Sequence, residues 1–203
     1  MTLEVKISKR PIPYKNAFKF LEKRVQKLKK GGDNELLWIL EHPLTFTSGI
    51  RSKENEILDK KIRVIKTNRG GKITLHSPGQ KIVYFVINLN KRKKDIRKLV
   101  NIIENSIINF LKFYNIKGIN DKKNVGIWVK KKKIAAIGIK VSGWIAYHGC
   151  SINIKNNLDY YKKIIPCGLD NKKITSIQKQ TNKKIKNIDK KFKDIFLNNF
   201  RKI

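Results

Sequence analysis

Cys167 is a candidate for a catalytic nucleophile, because it stands between Pro166 and Gly168. Proline and glycine are typical of turns, so we expect residues 164–169 to form a turn that exposes the sulfur. A thiolate is a strong nucleophile, and an exposed cysteine can carry an acyl group as a thioester. Pro-Cys-Gly alone is nonspecific, so a buried structural role stays open for Cys167 and for Cys150, the other cysteine.

A second candidate segment is residues 69–80, Arg-Gly-Gly-Lys-Ile-Thr-Leu-His-Ser-Pro-Gly-Gln. The paired Gly70 and Gly71 would let a ligand approach the backbone closely, and Arg69 and His76 could fix polar groups beside it. A Gly-Gly pair before a strand is also a common turn, and that alternative stays open. The Gly-x-x-x-x-Gly-Lys-Ser/Thr spacing of a phosphate-binding loop is absent.

Two further segments interrupt apolar stretches with small or polar residues, namely residues 133–138 and 147–153. The adjacent Ala135 and Ala136 stand out in a chain with four alanines, and they indicate close packing or room for a substrate. Lys133 ends a run of four lysines, so composition alone predicts that it faces solvent. His148 alone is typical of a hydrogen-bonded structural histidine.

The apolar periodicity predicts interleaved helices and strands. We expect strands at 1–9, 36–40, 63–66 and 82–89, two or three strands within 126–154 with turns at Gly138, Gly143 and Gly149, and helices at 14–28, at 96–114 with Asp95 as N-cap, and at about 189–200. Because strands often follow one another directly, the pattern predicts an α/β (α+β) fold with a mixed sheet and flanking helices. No repeat or linker is visible, so we expect a single domain over residues 1–203.

The net charge of +33 raises the possibility of a basic nucleic-acid-binding protein without catalysis. That class needs basic side chains on one face, interleaved with exposed aromatic residues. Here the aromatic residues fall on predicted core faces, and 40 of the 48 basic residues are lysines spread along the chain, a distribution typical of A/T-rich codon usage. We therefore expect no nucleic-acid partner.

The beginning of the chain alternates apolar and charged residues, which predicts a strand rather than a signal peptide. No stretch approaches the roughly 18 apolar residues of a membrane span, so we expect a cytoplasmic protein without a membrane partner. Two cysteines without Cys-x-x-Cys or His-rich spacing predict no metal site.

In this order, the segments Arg-Gly-Gly-x-x-Thr-x-His-x-Pro-Gly-Gln, Lys-Ile-Ala-Ala-Ile-Gly, His-Gly-x-x-x-Asn and Pro-Cys-Gly resemble the lipoyl(octanoyl) transferase family. Upstream, Glu41-His42-Pro43 with Thr47-x-Gly49 is similar to another segment of that family. Asn153 with Asp159, and Thr175-Ser176, fit the stretches around the cysteine. The resemblance covers about residues 36–176, from which the acyl-transfer site would be built.

The resemblance implies the fold of the biotin/lipoate–protein ligase catalytic domain, with a sheet floor under an acyl tunnel. It places Cys167 as the nucleophile and Lys133 as the group that lowers the pKa of the thiol and transfers its proton. Cys150 departs from the apolar residue usual after His-Gly, and we interpret it as a small hydrophobe in the pocket wall, with a second modifiable thiol as the alternative. The substrate-binding positions that the resemblance implies are Arg69, Gly70, Gly71, Lys72, Ile73, Thr74, Leu75, His76, Ala136, Ile137, Gly138, His148, Gly149, Cys150 and Ser151.

The implied reaction moves an octanoyl or lipoyl group from acyl carrier protein to a lysine of a lipoyl domain, the first step of endogenous protein lipoylation. The acceptors would be the lipoyl domains of 2-oxoacid dehydrogenase complexes, the glycine cleavage H protein, or both. A thioester is already activated, so we expect no ATP or other cofactor, and a monomer.

The rival within the same fold is an ATP-dependent lipoate–protein ligase, which resembles Arg-x-x-Gly-Gly-Gly-x-x-x-His-Asp. Here His76 is followed by Ser77-Pro78 instead of an aspartate, and Cys167 is present. Both observations favour the transferase over the ligase.

Overall fold

A computed structural model describes residues 3–121, 124–166 and 173–202. Within them the chain forms ten strands and four α-helices. The strands are β1 (Leu3–Ile7), β2 (Glu35–Leu40), β3 (Thr45–Ser48), β4 (Val64–Lys66), β5 (Thr74–His76), β6 (Gln80–Asn88), β7 (Ile119–Asn120), β8 (Ile127–Val129), β9 (Lys132–Ser142) and β10 (Ile145–Asn153). The helices are α1 (Tyr14–Lys29), α2 (Ile96–Lys112), α3 (Ile177–Gln180) and α4 (Ile188–Phe200).

Seven strands form one sheet in the order β1-β2-β6-β10-β9-β8-β7, and β4-β3-β5 form a smaller one. β1 pairs with β2 in parallel, whereas the other pairs of the large sheet are antiparallel. The small sheet is also mixed, because β3 is parallel to β4 and antiparallel to β5. The predicted mixed α/β architecture is therefore confirmed.

Helices cover both faces of the large sheet. α1 buries Tyr14, Ala17, Leu21, Val25 and Leu28, spaced three or four residues apart, against one face. α2 and α4 pack on each other and on the opposite face. The burial of apolar surface on both faces is the main stabilising term for such a layered fold.

The predicted helices agree with the structure to within two residues at most ends. Asp95 accepts a hydrogen bond from the Lys98 amide at 2.8 Å, which confirms the predicted N-cap of α2. The helix at the C-terminal end begins at Ile188, one residue before the expected bound. No helix in the described ranges has the length and hydropathy that a membrane span requires.

The expected turns at Gly138 and Gly149 are wrong. Both residues lie inside strands, and they are register partners between β9 and β10. The real turns are at Gly143-Trp144 and at Lys130-Lys131, where all four residues have positive φ. Two consecutive left-handed residues are what a type I′ hairpin turn requires, and at residues 130–131 two lysines adopt this conformation without a glycine.

Candidate active site

A central pocket opens over β6, β9 and β10. Every position that the sequence predicts for substrate binding lines it, except Ile73 and Leu75. Those two side chains are fully buried in a separate apolar cluster. Because residues alternate sides along a strand, Thr74 and His76 of β5 face the pocket instead. Ile82 and Tyr84 complete the lining.

The Arg69 guanidinium holds the loop at residues 69–72 against β3. Its Nη2 donates to the carbonyl and the hydroxyl oxygen of Thr47, both at 2.9 Å. Its Nη1 donates to the carbonyl oxygens of Lys72 at 2.9 Å and Gly70 at 3.1 Å. Arg69 therefore shapes the pocket wall by holding main-chain oxygens of its own loop and the oxygens of Thr47.

Two glycines allow this loop to pass between β3 and β9. A Cβ on Gly49 would lie 2.4 Å from the Gly71 carbonyl oxygen, and one on Gly138 would lie 3.2 Å from the Gly70 carbonyl oxygen. The first distance excludes any side chain, and the second is tighter than ordinary contact. The Thr-x-Gly and Ala-Ala-x-Gly patterns thus serve a close backbone approach around the pocket.

His148 turns onto the α1 face because its φ is 71°. Strand alternation would place the His148 side chain on the same face of the sheet as Ala146 and Cys150, which is the face that α2 and α4 cover. Instead, its ring stacks on Phe18 of α1, with ring centroids 5.8 Å apart. Its Nε2 lies 2.9 Å from Asn68 Oδ1.

The orientation of Asn68 is fixed, because its Nδ2 donates to Glu22 Oε1 at 3.1 Å. Burial, followed by the charges of Arg69 and Lys140, lowers the pKa of His148 to about 3. His148 is therefore neutral, with the proton on Nε2.

The other two histidines are also buried and neutral. His76 Nδ1 donates to Gln80 Oε1 at 2.8 Å, and His42 Nδ1 donates to the Ile12 carbonyl oxygen at 2.6 Å. Burial lowers the pKa of His42 to about 4 and holds that of His76 well below its usual value. Within the described ranges, no cluster of three or more His, Cys, Asp or Glu side chains could hold a metal ion.

Gln80 connects the pocket to the polar residues behind it. Its Nε2 donates to Asn153 Oδ1 at 2.9 Å and to the Tyr161 hydroxyl at 3.1 Å. Asn153 Nδ2 in turn donates to the Thr175 carbonyl oxygen at 3.0 Å. Asn153, which belongs to a predicted motif, thus links Gln80 to Thr175 through side-chain hydrogen bonds. Tyr161 belongs to the same network, and the sequence analysis did not identify it.

Cys150 is buried in the pocket wall and belongs to the main apolar cluster. Burial raises the pKa of its thiol far above the usual value. A thiol that stays protonated is a poor nucleophile. This position agrees with the interpretation of Cys150 as a small hydrophobe.

Lys133 is buried, so the prediction from composition that it faces solvent is wrong. Its three predecessors in the lysine run are exposed, whereas Lys133 Nζ donates to the Val125 carbonyl oxygen at 2.8 Å. Nζ also lies 5.6 Å from the centroid of the Trp128 ring. The turn at residues 130–131 determines which lysine points inward, and a count of lysines contains no information about that turn.

Gly126 makes room for this lysine, since a Cβ there would lie 2.5 Å from Lys133 Cε. Lys133 and Pro166 line the same small pocket next to the central one. Beyond the gap in the described residues, the Thr175 amide donates to the Lys133 carbonyl oxygen at 2.9 Å. Cys167 itself lies outside the described residues.

The family described as the lipoyl protein ligase A/B catalytic domain matches residues 13–201. A curated octanoyltransferase of Orientia tsutsugamushi (strain Boryong) is 44% identical over 182 residues, which are 86% of this chain and 88% of that protein. One from Wolbachia pipientis subsp. Culex pipiens (strain wPip) is 42% identical over 178 residues, 85% of this chain and 87% of that protein.

Solved structures share the fold at low sequence identity. A bipartite lipoate protein ligase of Thermoplasma acidophilum, solved in work on its E2 lipoyl domain, is similar with a TM-score of 0.73 and 14% identity over 99% of this chain and 84% of that one. A biotin protein ligase of Aquifex aeolicus, in complex with biotin and ATP, gives 0.54 and 14% over 98% and 70%. The fold is thus that of the lipoate and biotin ligase catalytic domain, as expected.

The fold, the family match and the curated relatives together define an acyltransferase. The chain belongs to the lipoyl(octanoyl) transferase family.

Proposed function

We propose that this enzyme transfers an octanoyl group from octanoyl-acyl carrier protein to a lysine of a lipoyl domain through an acyl thioester on Cys167. The Cys167 thiolate attacks the donor's thioester carbonyl, and the carrier thiolate leaves and takes a proton from the Lys133 ammonium. The neutral amine of the acceptor lysine then attacks the acyl-enzyme, an amide forms, the Cys167 thiolate is released, and the proton that the amine loses returns to Lys133. Atoms and charge balance without ATP, because the donor thioester is already activated.

The observation that carries this proposal is the buried position of Lys133. A buried lysine needs a compensating interaction, because the transfer of an ammonium group out of water is unfavourable. No carboxylate among the described residues forms an ion pair with it. Its pocket includes Pro166, and consecutive Cα atoms are about 3.8 Å apart. A Cys167 thiolate next to Pro166 would supply the missing anion, and the ammonium would lower the pKa of that thiol.

The central pocket supports an acyl substrate. Ala136, Ile137 and Cys150 offer it apolar walls, and the two histidines of its lining, His76 and His148, are neutral and add no charge that an alkyl chain would have to desolvate. The small pocket at Lys133 shares Thr74, Ala136 and Ser151 with the central one. A chain in the central pocket would therefore have its carbonyl end near Lys133 and Pro166.

The named relatives supply the substrate classes. The octanoyltransferases of Orientia and Wolbachia favour an octanoyl donor, and the T. acidophilum ligase with its E2 lipoyl domain favours a lipoyl domain as acceptor. By this proposal the acceptors are those of 2-oxoacid dehydrogenase complexes or the glycine cleavage H protein. By this proposal the enzyme is a single-domain monomer that works in the cytoplasm.

The proposal is tested by adding purified enzyme to octanoyl-acyl carrier protein and an apo lipoyl domain, with and without ATP and free octanoate. We expect octanoylation of the domain from the carrier at the same rate in both mixtures. Transfer that requires ATP and free octanoate would identify a ligase and overturn the proposal. Absence of transfer from the carrier would overturn it too.

A further inference from the structure

The floor of the central pocket consists of two rows of residues that run across β6, β10 and β9. The first row is Ile82, Ser151 and Ala136, and the second row is Tyr84, Gly149 and Gly138. All six line the central pocket, and Ser151 and Ala136 also line the small pocket at Lys133. The first row is therefore the reaction end of the pocket, and the second row is farther from Lys133.

Beyond the second row, large side chains replace the two glycines. Tyr147 and Lys140 are register partners there, and the Tyr147 ring stacks on that of His148 with centroids 4.8 Å apart. His148 itself belongs to the lining of the central pocket, three residues along β10 from Ser151. The His148 ring thus stands at the end of the pocket that is opposite to the reaction end.

The distance between the two ends fits the proposed substrate. Three residues of a strand span about 10 Å. An extended chain of eight carbons, with C–C bonds of about 1.5 Å, is roughly 9 Å long. A chain with its carbonyl at the first row would therefore bring its last carbon to the His148 ring.

The His148 ring is held from behind by residues that lie outside the described lining of the pocket. Phe18 of α1 stacks on it with an interplanar angle of 18°. Asn68 accepts its Nε2–H at 2.9 Å and is itself fixed by Glu22. The φ of 71° at His148 is an uncommon conformation for a residue other than glycine, so the surrounding contacts must maintain it.

We propose that His148 is the end wall that limits the acyl chain to the length of an octanoyl group, and that Phe18 and Asn68 are positioning residues that hold this wall. The inference rests on the proposed function. A longer chain would have to displace the ring from Phe18 and break its hydrogen bond to Asn68, which would leave a buried N–H unpaired. A shorter chain would leave the space in front of the ring unfilled and lose dispersion contacts.

The test uses three variants that weaken the wall in different ways. Phe18→Ala removes the ring behind His148, and Asn68→Ala removes its hydrogen-bond acceptor. His148→Asn shortens the wall itself with a residue that tolerates positive φ. The matched control is Phe20→Ala, which removes the same ring from the same helix, where Phe20 packs on Trp38 with centroids 5.0 Å apart.

For each protein, kcat/KM is measured with octanoyl-, decanoyl- and dodecanoyl-acyl carrier protein at saturating apo lipoyl domain, and thermal unfolding checks folding. A merely structural role would lower transfer of all three chains by the same factor. The ratio of kcat/KM for dodecanoyl to that for octanoyl therefore reports the end wall and not the stability of the fold.

We expect the wild type to prefer octanoyl over dodecanoyl by at least about 10-fold, and each of the three variants to raise the ratio by at least about 10-fold. The ratio for Phe20→Ala should stay within about 2-fold of the wild-type value. Wild-type ratios in the three folded variants, or an equal rise in Phe20→Ala, would overturn the assignment. Failure of the wild type to transfer octanoyl from the carrier would refute the proposed function instead.

Discussion

At the scale of single residues, the site depends on which lysine of a run of four is inside. Lys133 is buried beside Pro166, whereas Lys130 is exposed at the hairpin turn. The burial of Lys133 contradicts the solvated charge that composition predicted, whereas the catalytic role that the resemblance implied stays a prediction. Lys133 is held by its hydrogen bond to the Val125 carbonyl oxygen and by the space that Gly126 leaves open. Neither feature can be recognised in the sequence.

The first prediction concerns the pKa of the nucleophile. Lys133→Met keeps the apolar stem but removes the ammonium, so the pKa of the Cys167 thiol should rise toward about 8.5. Alkylation by iodoacetamide at pH 7 should then slow by about 10-fold, with the rate–pH curve displaced to higher pH.

The measurement uses a Cys150→Ser background, and Lys130→Met is the matched control that should leave the curve in place. Identical curves for wild type and Lys133→Met would remove Lys133 from the activation of the thiol.

At the scale of elements, β6 and β10 approach so closely at Gly149 that no side chain fits between them. A Cβ on Gly149 would lie 1.9 Å from the Val83 carbonyl oxygen on β6. Gly149→Ala must therefore push β6 and β10 apart beneath the pocket, and we expect a loss of about 3 kcal/mol in the free energy of unfolding.

Urea denaturation followed by circular dichroism measures this loss. Gly32→Ala is the control, because a Cβ there would lie 3.8 Å from the Lys27 carbonyl oxygen and meet ordinary contact only. Equal midpoints for the two variants would mean that the strands do not approach as closely as described.

The elements themselves were largely predictable, since helix periodicity and the Asp95 cap depend on local sequence. The glycines at 138 and 149 were misassigned to turns because a glycine that permits close backbone approach is indistinguishable, in sequence, from one that permits a turn. The short β3 and β5 were missed because their pairing depends on residues 27 or more positions apart, which local patterns do not show.

At the scale of the whole molecule, three buried neutral histidines make stability depend on pH. The unfolded chain binds protons at its histidines near pH 6.5, whereas the pKa of His42 is about 4 and that of His148 about 3 in the folded protein. The unfolded state thus gains protons first as the pH falls. The stability present above pH 6.5 should be lost progressively between pH 6.5 and about pH 4.

Each such histidine adds up to about 1.4 kcal/mol per pH unit to the slope. His42→Gln should therefore flatten the pH dependence of the free energy of unfolding in this window, relative to wild type. Lys66→Met, a substitution of an exposed residue that leaves all three histidines in place, should leave the slope unchanged. A His42→Gln slope equal to that of the wild type would contradict a neutral His42.

The central claim is that the acyl group passes through Cys167 and not through Cys150. The most direct measurement is the intact mass of the enzyme after brief incubation with octanoyl-acyl carrier protein, without an acceptor. Wild type and Cys150→Ser should each gain one octanoyl group, and the adduct should disappear when apo lipoyl domain is added. Cys167→Ser should gain none. An octanoyl adduct on Cys167→Ser, or wild-type turnover without any adduct, would contradict the account.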